Sequence, residues 1–181
     1  MLLKLSLTHS QIQPVNLTRS ITTGANLTSP LAPHIQPQYY AAIIAATFIG
    51  NSNNNTVTTG IIEVPVLNSH VAVYAAYDNG VLSRALVINS NAWLIGSTGS
   101  RGYTQLTFSI NGIGSTSIPS RMQIRRLEIG HADDTGGLTF AGKSYETSTA
   151  LPDGNDSYTT ASLSGGLRIN DTEAVVLTFL Y

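Results

Sequence analysis

The sequence contains no cysteine, and this absence excludes disulfide bonds and metal sites built from thiolates. Its 181 residues are enough for one main domain with its own hydrophobic core, since domains usually contain about 100 to 150 residues. A domain of this size can be stable without disulfide bonds. The lack of cysteine therefore says little about the cellular compartment.

Charged residues are also scarce, at 10% of the chain against about 25% in an average soluble protein. Nine basic and ten acidic residues give a net charge of −1, and the longest basic run is Arg125-Arg126. The basic patch that would neutralise phosphates is missing, which argues against nucleic acid as a partner. A polar surface built largely from hydroxyls and amides favours a β-rich extracellular protein.

The chain lacks a long hydrophobic run. Its longest apolar stretch, 39–49, is about half of the roughly 20 residues that span a bilayer, so neither a transmembrane helix nor a membrane partner is predicted. The start, MLLKLSLTHSQ, lacks the continuous apolar region of about 7 to 15 residues found in signal peptides. No secretion signal is predicted, and the localisation of the product stays open.

Five N-glycosylation sequons nevertheless hint at an ancestor in the secretory pathway. A chain this rich in Asn, Ser and Thr would contain several by chance, so compositional accident remains an equal alternative. The five asparagines are Asn16, Asn26, Asn54, Asn155 and Asn170.

Three segments differ in character. Residues 1–36 contain three of the seven prolines without a sustained apolar period, which predicts an extended arm. Residues 37–50 predict one helix, over 38–49, because Pro37 suits its first turn and Gly50 suits the position after its end. Residues 51–181 predict a β-sandwich domain. The helix is apolar on nearly every side, so it should be buried on most faces, and the rest of the chain is poorly equipped to cover it.

The β-sandwich is predicted from short runs of β-branched and aromatic residues separated by turn signals. Together they indicate a mainly β fold, an antiparallel Greek-key sandwich of about eight strands. The stretch Asp78-Asn79-Gly80 between two runs predicts a tight hairpin, because Asn and Gly tolerate positive φ. The candidate strands are 56–66, 70–77, 81–89, 103–111, 121–129, 137–147, 158–163, 166–169 and 173–180.

One pair of carboxylates has a spacing that suits acid/base chemistry. Asp171 and Glu173 lie two residues apart, and strand geometry would place them roughly 6 to 7 Å apart on one face. Glycosidases separate their two carboxyl groups by about 5 to 9.5 Å. The alternative is structural: Asn170 and Asp171 form a turn, and Glu173 is the solvent-near first residue of a final strand that is apolar on both faces. We favour the structural interpretation.

The other candidates are also better explained by structure. Asp78, Asp153 and Asp156 lie in turn-like sequence. His131–Asp134 (HADD) has suitable atoms for a metal or an acid/base pair, but it stands alone between a strand and Gly136-Gly137. Glu146 has aromatic neighbours, yet alternation puts Tyr145 and Glu146 on opposite faces, so one of them points into the core. The isolated histidines are His9, His34 and His70, and none forms a zinc motif.

Five blocks follow one another along the chain: QIQPVNLTRS, LAPHIQPQYYAAIIAATFIG, VAVYAAYDNGVLSRALVIN, IRRLEIGHADDTGGLTFAGKSYETS and INDTEAVVLTF. In this order they resemble fungal proteins of glycoside hydrolase family 79, the β-glucuronidase and heparanase-like enzymes. The resemblance covers the chain from Gln11 onward, but only the carboxyl-terminal part of the family's full-length protein. It implies that residues 38–49 are similar to the last helix of a (β/α)8 barrel and that the following strands are similar to the sandwich beside it.

The resemblance implies retaining glycoside hydrolysis by two glutamates on barrel strands. The segments that bear them precede Gln11 in the family pattern, and residues 1–10 depart from that pattern, as expected for a truncated gene model, a pseudogene-like remnant or a wrongly assigned start. We therefore predict no catalytic residue, no cofactor-binding residue, no metal ligand and no cofactor. The implied partner is the catalytic barrel, and the family implies a secreted protein. An enzyme with an unrecognised site is the least favoured alternative.

The main alternative function is a stand-alone carbohydrate-binding or interaction module. Such modules usually expose aromatic side chains, and Trp93 with Tyr103 is the one plausible start of a platform for a glycan. A single Trp in a β protein is more often partly buried, so this remains the second hypothesis.

Overall fold

A computed structural model of the protein describes residues 35, 37–50, 56–110 and 118–181. The described residues form a mainly β fold with nine antiparallel strands and one α-helix, which confirms the predicted class. Apart from Ile35, the predicted arm lies outside the described residues. The elements are α1 (Pro37–Ile49), β1 (Thr59–Val64), β2 (Val71–Asp78), β3 (Val81–Asn89), β4 (Tyr103–Leu106), β5 (Arg121–Glu128), β6 (Thr139–Phe140), β7 (Thr159–Ser162), a 3-10 helix (Leu163–Gly165), β8 (Leu167–Asn170) and β9 (Glu173–Leu180).

Seven strands form the main sheet in the order β1-β2-β3-β9-β5-β6, with β7 also paired to β5. Two short strands pair with the outer edge of β5: its first half pairs with β7, and its last two residues pair with β6. The remaining strands, β4 and β8, form a separate two-stranded sheet. The final strand of the chain thus lies in the middle of the main sheet.

The predicted hairpin joins β2 to β3. Asn79 and Gly80 have φ values of 49° and 83°, which are the two consecutive positive values that a type I′ turn requires. The Asn79 side chain also accepts a hydrogen bond from the Thr58 N–H at 2.9 Å, which ties the turn to the start of β1. The prediction of the hairpin from its sequence is therefore confirmed.

Strand β9 has a hydrophobic core on each side. Val175, Leu177 and Phe179 belong to one cluster, together with Leu167 and Ile169 of β8, so the two-stranded sheet covers this face. Ala174 and Val176 belong to the other cluster, which α1 covers. Alternate side chains of a strand point to opposite faces, so an uninterrupted apolar strand can serve both clusters.

Helix α1 packs on the sheet through Tyr40, Ile44 and Phe48, which recur every four residues and are all buried. The Tyr40 hydroxyl donates to the Leu138 carbonyl at 2.6 Å and accepts from the Tyr145 N–H at 3.0 Å. The predicted helix is confirmed, with Gly50 just beyond its end at φ 80°. Its surroundings differ from the prediction, because one face is buried and the opposite face exposes small apolar residues.

Two predicted strands, 103–111 and 137–147, are less than half as long as expected. The run 137–147 contains only Thr139–Phe140 as a strand, because Ala141 and Gly142 both adopt positive φ and turn the chain. Phe140 and Lys143 then pair with each other through two backbone hydrogen bonds. The run 103–111 ends as a strand at Leu106.

Candidate functional site

The structure brings Asp171 and Glu173 to the turn between β8 and β9, where both are buried, at 8% and 7% exposure. Thr172 between them has φ 58°, so the chain turns at Asp171 and Thr172, while Asn170, which was predicted to form part of the turn, is the last residue of β8. The predicted solvent-near position of Glu173 is wrong. Arg126, from the neighbouring strand β5, supplies a positive charge at 2.8 Å and allows the Glu173 carboxylate to be buried.

Each of these two carboxylates holds a neighbouring segment. Glu173 also accepts from the Asn170 N–H at 2.7 Å, which closes the turn. Asp171 accepts from the Asn89 side-chain amide at 3.1 Å, and a Cβ added at Gly102 would collide with the same carboxylate. The spacing that resembles a glycosidase pair is used here for packing and turn formation.

Arg101 is central to this end of the molecule, and sequence reasoning missed it. Its guanidinium donates to the carbonyls of Asp171 at 2.7 Å, Ile129 at 2.8 Å and Thr172 at 3.1 Å. It therefore joins the end of β5 to the β8–β9 turn. The partners are up to 71 residues away in sequence, so no local pattern around Arg101 reveals the contact.

The HADD segment forms a turn. The Asp134 carboxylate accepts from the His131 N–H at 2.7 Å and lies 3.3 Å from His131 Nδ1. The hydrogen bond from this backbone N–H lowers the pKa of Asp134, against the opposing effect of burial. Asp133 accepts from the Ile95 N–H at 2.9 Å and so holds a second loop. Within the described ranges, no group of three or more His, Asp or Glu side chains is placed to hold a metal ion.

Asp78 anchors the helix rather than a substrate. It pairs with Arg84 at 2.8 Å, and the same guanidinium donates to the carbonyls of Phe48 at 2.7 Å and Ile49 at 2.9 Å. A cation at the carboxyl end of a helix is favourable, since the last carbonyls carry partial negative charge. Sequence reasoning identified Asp78 as a turn residue and missed Arg84.

The remaining candidate residues also make their contacts within the protein. Asp156 pairs with Arg125 at 3.1 Å and Lys143 at 3.6 Å. Asp153 pairs through its backbone with Ser144. Glu146 accepts from two backbone N–H groups, those of Gly137 and Leu138, while Tyr145 packs against the helix cluster. Tyr145 is thus the member of the pair that faces the core. His70 is exposed, and His9 and His34 lie outside the described residues.

The two aromatic residues of the predicted platform have different surroundings. Trp93 is half-buried, and its backbone is held by Thr172 Oγ1 at 2.8 Å and the Ala132 N–H at 2.7 Å. Tyr103 on β4 is 55% exposed. The Arg168 guanidinium lies 3.8 Å from the centre of the Tyr103 ring. Of these two rings, the exposed one is therefore that of Tyr103.

An apolar groove of about 350 Å³ lies beside β1, β2 and β3 and is closed on one side by residues 106–110. Its lining contains no carboxylate, imidazole, ammonium or guanidinium group, and Tyr77 is its one ionisable side chain, so the groove offers no pair of groups for acid/base chemistry. Among the described residues, no helix is long and apolar enough to cross a membrane.

Comparison with known proteins gives a family and a fold. The family model described as the glycosyl hydrolase family 79 C-terminal beta domain matches residues 73–176. A solved structure of a 4-O-α-L-rhamnosyl-β-D-glucuronidase from Fusarium oxysporum 12S, in complex with Rha-GlcA, is similar with a TM-score of 0.60 and 23% identity. The match covers 80% of this chain but 30% of that enzyme. No curated protein matches the sequence.

Proposed function

This chain belongs to the glycosyl hydrolase family 79 C-terminal beta domain family, and we propose that it is the non-catalytic sandwich portion of a β-glucuronidase-like glycoside hydrolase. The observation that carries the proposal is the family match over 73–176, from β2 into β9. The chain spans less than a third of the Fusarium glucuronidase. In the proposed enzyme, catalysis belongs to a barrel, and this chain supports that barrel.

Helix α1 is the proposed contact with the barrel. Its inner face packs against the sandwich through Tyr40, Ile44 and Phe48. Its outer side exposes Ala41, Ala46 and 45% of Ile49. Small apolar side chains allow close packing of another element, so this side suits a neighbouring barrel helix.

The polar groups support a structural role. Asp78, Glu146, Asp156 and Glu173 all accept hydrogen bonds from other groups of the protein. A pair of carboxylates working as acid and nucleophile must face one substrate, whereas these four hold separate turns and strands.

The test is co-expression with the barrel of a family 79 enzyme from which its own sandwich has been removed. We expect the chain to co-purify with the barrel and to restore hydrolysis of an aryl β-glucuronide, while the chain alone shows none. Replacing both Ala41 and Ala46 by Arg should abolish co-purification. The matched control replaces Leu67 and Ser69 by Arg, which adds the same two charges at exposed residues between β1 and β2, away from α1. Hydrolysis by the chain alone would contradict the proposal.

The same proposal includes secretion by a fungus and N-glycosylation. Asn155 lies exposed in a loop, whereas Asn170 is half-buried in β8. Asn16, Asn26 and Asn54 lie outside the described residues. A glycan is therefore better accommodated at Asn155 than at Asn170, which intact mass measurement of Asn155→Gln and Asn170→Gln proteins from a fungal host would decide.

A stand-alone carbohydrate-binding module is the second candidate. The exposure of Tyr103 favours it, and the partial burial of Trp93 weakens it. Glycan binding by the chain in the absence of any barrel separates this candidate from a purely supporting domain.

A further inference from the structure

The two-stranded sheet presents an outward face that the supporting role does not use. Tyr103 is directly opposite Asn170, and Gln105 is directly opposite Arg168. Opposed residues of an antiparallel pair point to the same side of the sheet, so these four side chains share one face. The face combines an aromatic ring, two amides and one guanidinium.

The other side of this sheet holds it rigidly. Leu167 and Ile169 are 1% and 0% exposed and lie in the core against β9. The backbone of β8 is also held from the side, because Arg126 donates to the Arg168 carbonyl at 3.1 Å. A face fixed in this way loses little conformational entropy when a ligand binds.

Arg168 differs from the other arginines near this end of the molecule. Arg126 pairs with Glu173, and Arg101 donates to three carbonyls. Arg168 has no carboxylate partner among the described residues, and its guanidinium rests on the Tyr103 ring at 3.8 Å. The face therefore carries an uncompensated positive charge at a defined position.

We propose that this face binds an acidic saccharide through a uronate unit. The choice of a uronate-containing saccharide rests on the proposed function as part of a β-glucuronidase-like enzyme. The Arg168 guanidinium pairs with the uronate carboxylate, because its planar set of N–H donors matches the two carboxylate oxygens. Arg168 covers one face of the Tyr103 ring, and the ring edge and the other face pack against the C–H surface of the sugar. The Gln105 amide donates to the Gly165 carbonyl at 3.3 Å, which orients its oxygen as an acceptor for a sugar hydroxyl.

The test is an NMR titration of the full chain with two saccharide probes. The chain is made in bacteria so that Asn170 carries no glycan. The probes are an unsulfated tetrasaccharide of alternating glucuronate and N-acetylglucosamine, and the neutral cellotetraose. We expect binding of the acidic probe, weakened by salt, with a Kd about tenfold or more below that of cellotetraose. The resonances that shift should be those of β4 and β8.

Variants locate the binding. Arg168→Gln should raise the Kd for the acidic probe about tenfold, and Arg168→Lys should cause a smaller loss, since it keeps the charge without the planar donors. The matched control is Arg121→Gln, which removes an exposed arginine at the far end of β5. Spectra of the free variants show whether the fold is intact.

Three results would overturn the proposal: no binding of either probe, equal binding of both, or equal losses in the Arg168→Gln and Arg121→Gln proteins. Each leaves co-purification with a barrel unaffected, because α1 and the β4–β8 sheet lie on opposite faces of the main sheet. Failure of the barrel experiment, conversely, would leave uronate binding intact.

Discussion

At the residue scale, arginines organise the polar groups of this protein. Arg84, Arg101 and Arg126 each join segments that are distant in sequence, through carboxylates or backbone carbonyls. The location of Asp78 and Asp171 at turns was predictable from their sequence, but their carboxylates bond to side chains of other segments rather than to nearby backbone. Their arginine partners were not predictable, since no local period or motif records a contact across strands.

Asp78 should make stability depend on pH in the acid range. Burial raises its pKa, but hydrogen bonds from Arg84 and Thr59 outweigh burial, so the pKa lies below the usual value. A carboxyl with a lowered folded pKa stabilises fully above its unfolded pKa, about 3.9, and loses that contribution as pH falls through the folded pKa. Asp78→Asn should lower the free energy of unfolding by about 1 to 2 kcal/mol at pH 7, and the difference from wild type should shrink below about pH 4.

Urea unfolding between pH 3 and pH 7 measures this difference. Asp153→Asn is the control, because the Asp153 side chain is exposed and its backbone makes the contact with Ser144. A constant difference between wild type and Asp78→Asn across the pH range would show that the ion pair with Arg84 does not stabilise the fold.

At the element scale, the sequence pattern correctly located those strands that are bounded by clear turn residues. The predictions 81–89 and 173–180 coincide with β3 and β9, because runs rich in β-branched and apolar residues are bounded there by turn residues. The prediction 137–147 was wrong over most of its length, because Ala141 adopts φ 52° and an alanine carries no sequence signal for positive φ. Helix α1 was located correctly from Pro37 and Gly50.

The docking of α1 should depend on Tyr40 more than on Tyr39. Tyr40→Phe removes a buried hydroxyl that serves both Leu138 and Tyr145, so two backbone groups lose a partner and about 2 to 4 kcal/mol of stability should be lost. Tyr39→Phe removes a single bond to the Ala150 carbonyl from a half-buried ring, at about 0.5 to 1.5 kcal/mol. Chemical denaturation of both variants makes the comparison, and equal losses would mean that apolar packing alone holds the helix.

At the scale of the whole molecule, the main sheet lies between α1 and the β4–β8 sheet. The family match begins at residue 73, yet the core on one side of the sheet includes Tyr40, Ile44 and Phe48 of α1. Truncation at the start of the family match would therefore remove part of the core. The helix is both a member of this fold and the proposed contact with a barrel.

The isolated chain should bind a hydrophobic dye and tend to self-associate, because the outer side of α1 is apolar and exposed. Replacing Ala41, Ala46 and Ile49 together by Lys should reduce dye fluorescence severalfold. Leu67→Lys, at a fully exposed residue between β1 and β2 and so away from α1, should reduce it little. A wild-type chain that is monomeric and binds no dye would count against the fragment interpretation.

The sequence by itself determined the fold class, the helix, the β2–β3 hairpin and the family resemblance. Residue period and turn chemistry can be read within a few neighbouring residues, and the ordered blocks can be recognised along the chain without knowing which strands pair. Only the tertiary structure decided that Glu173 is buried, that Arg101 joins the end of β5 to the β8–β9 turn, and that Arg168 stands over Tyr103. Those outcomes depend on which strands pair and on which charged residues, distant in sequence, offset the loss of hydration of a buried group. Neither can be read from a short stretch of sequence.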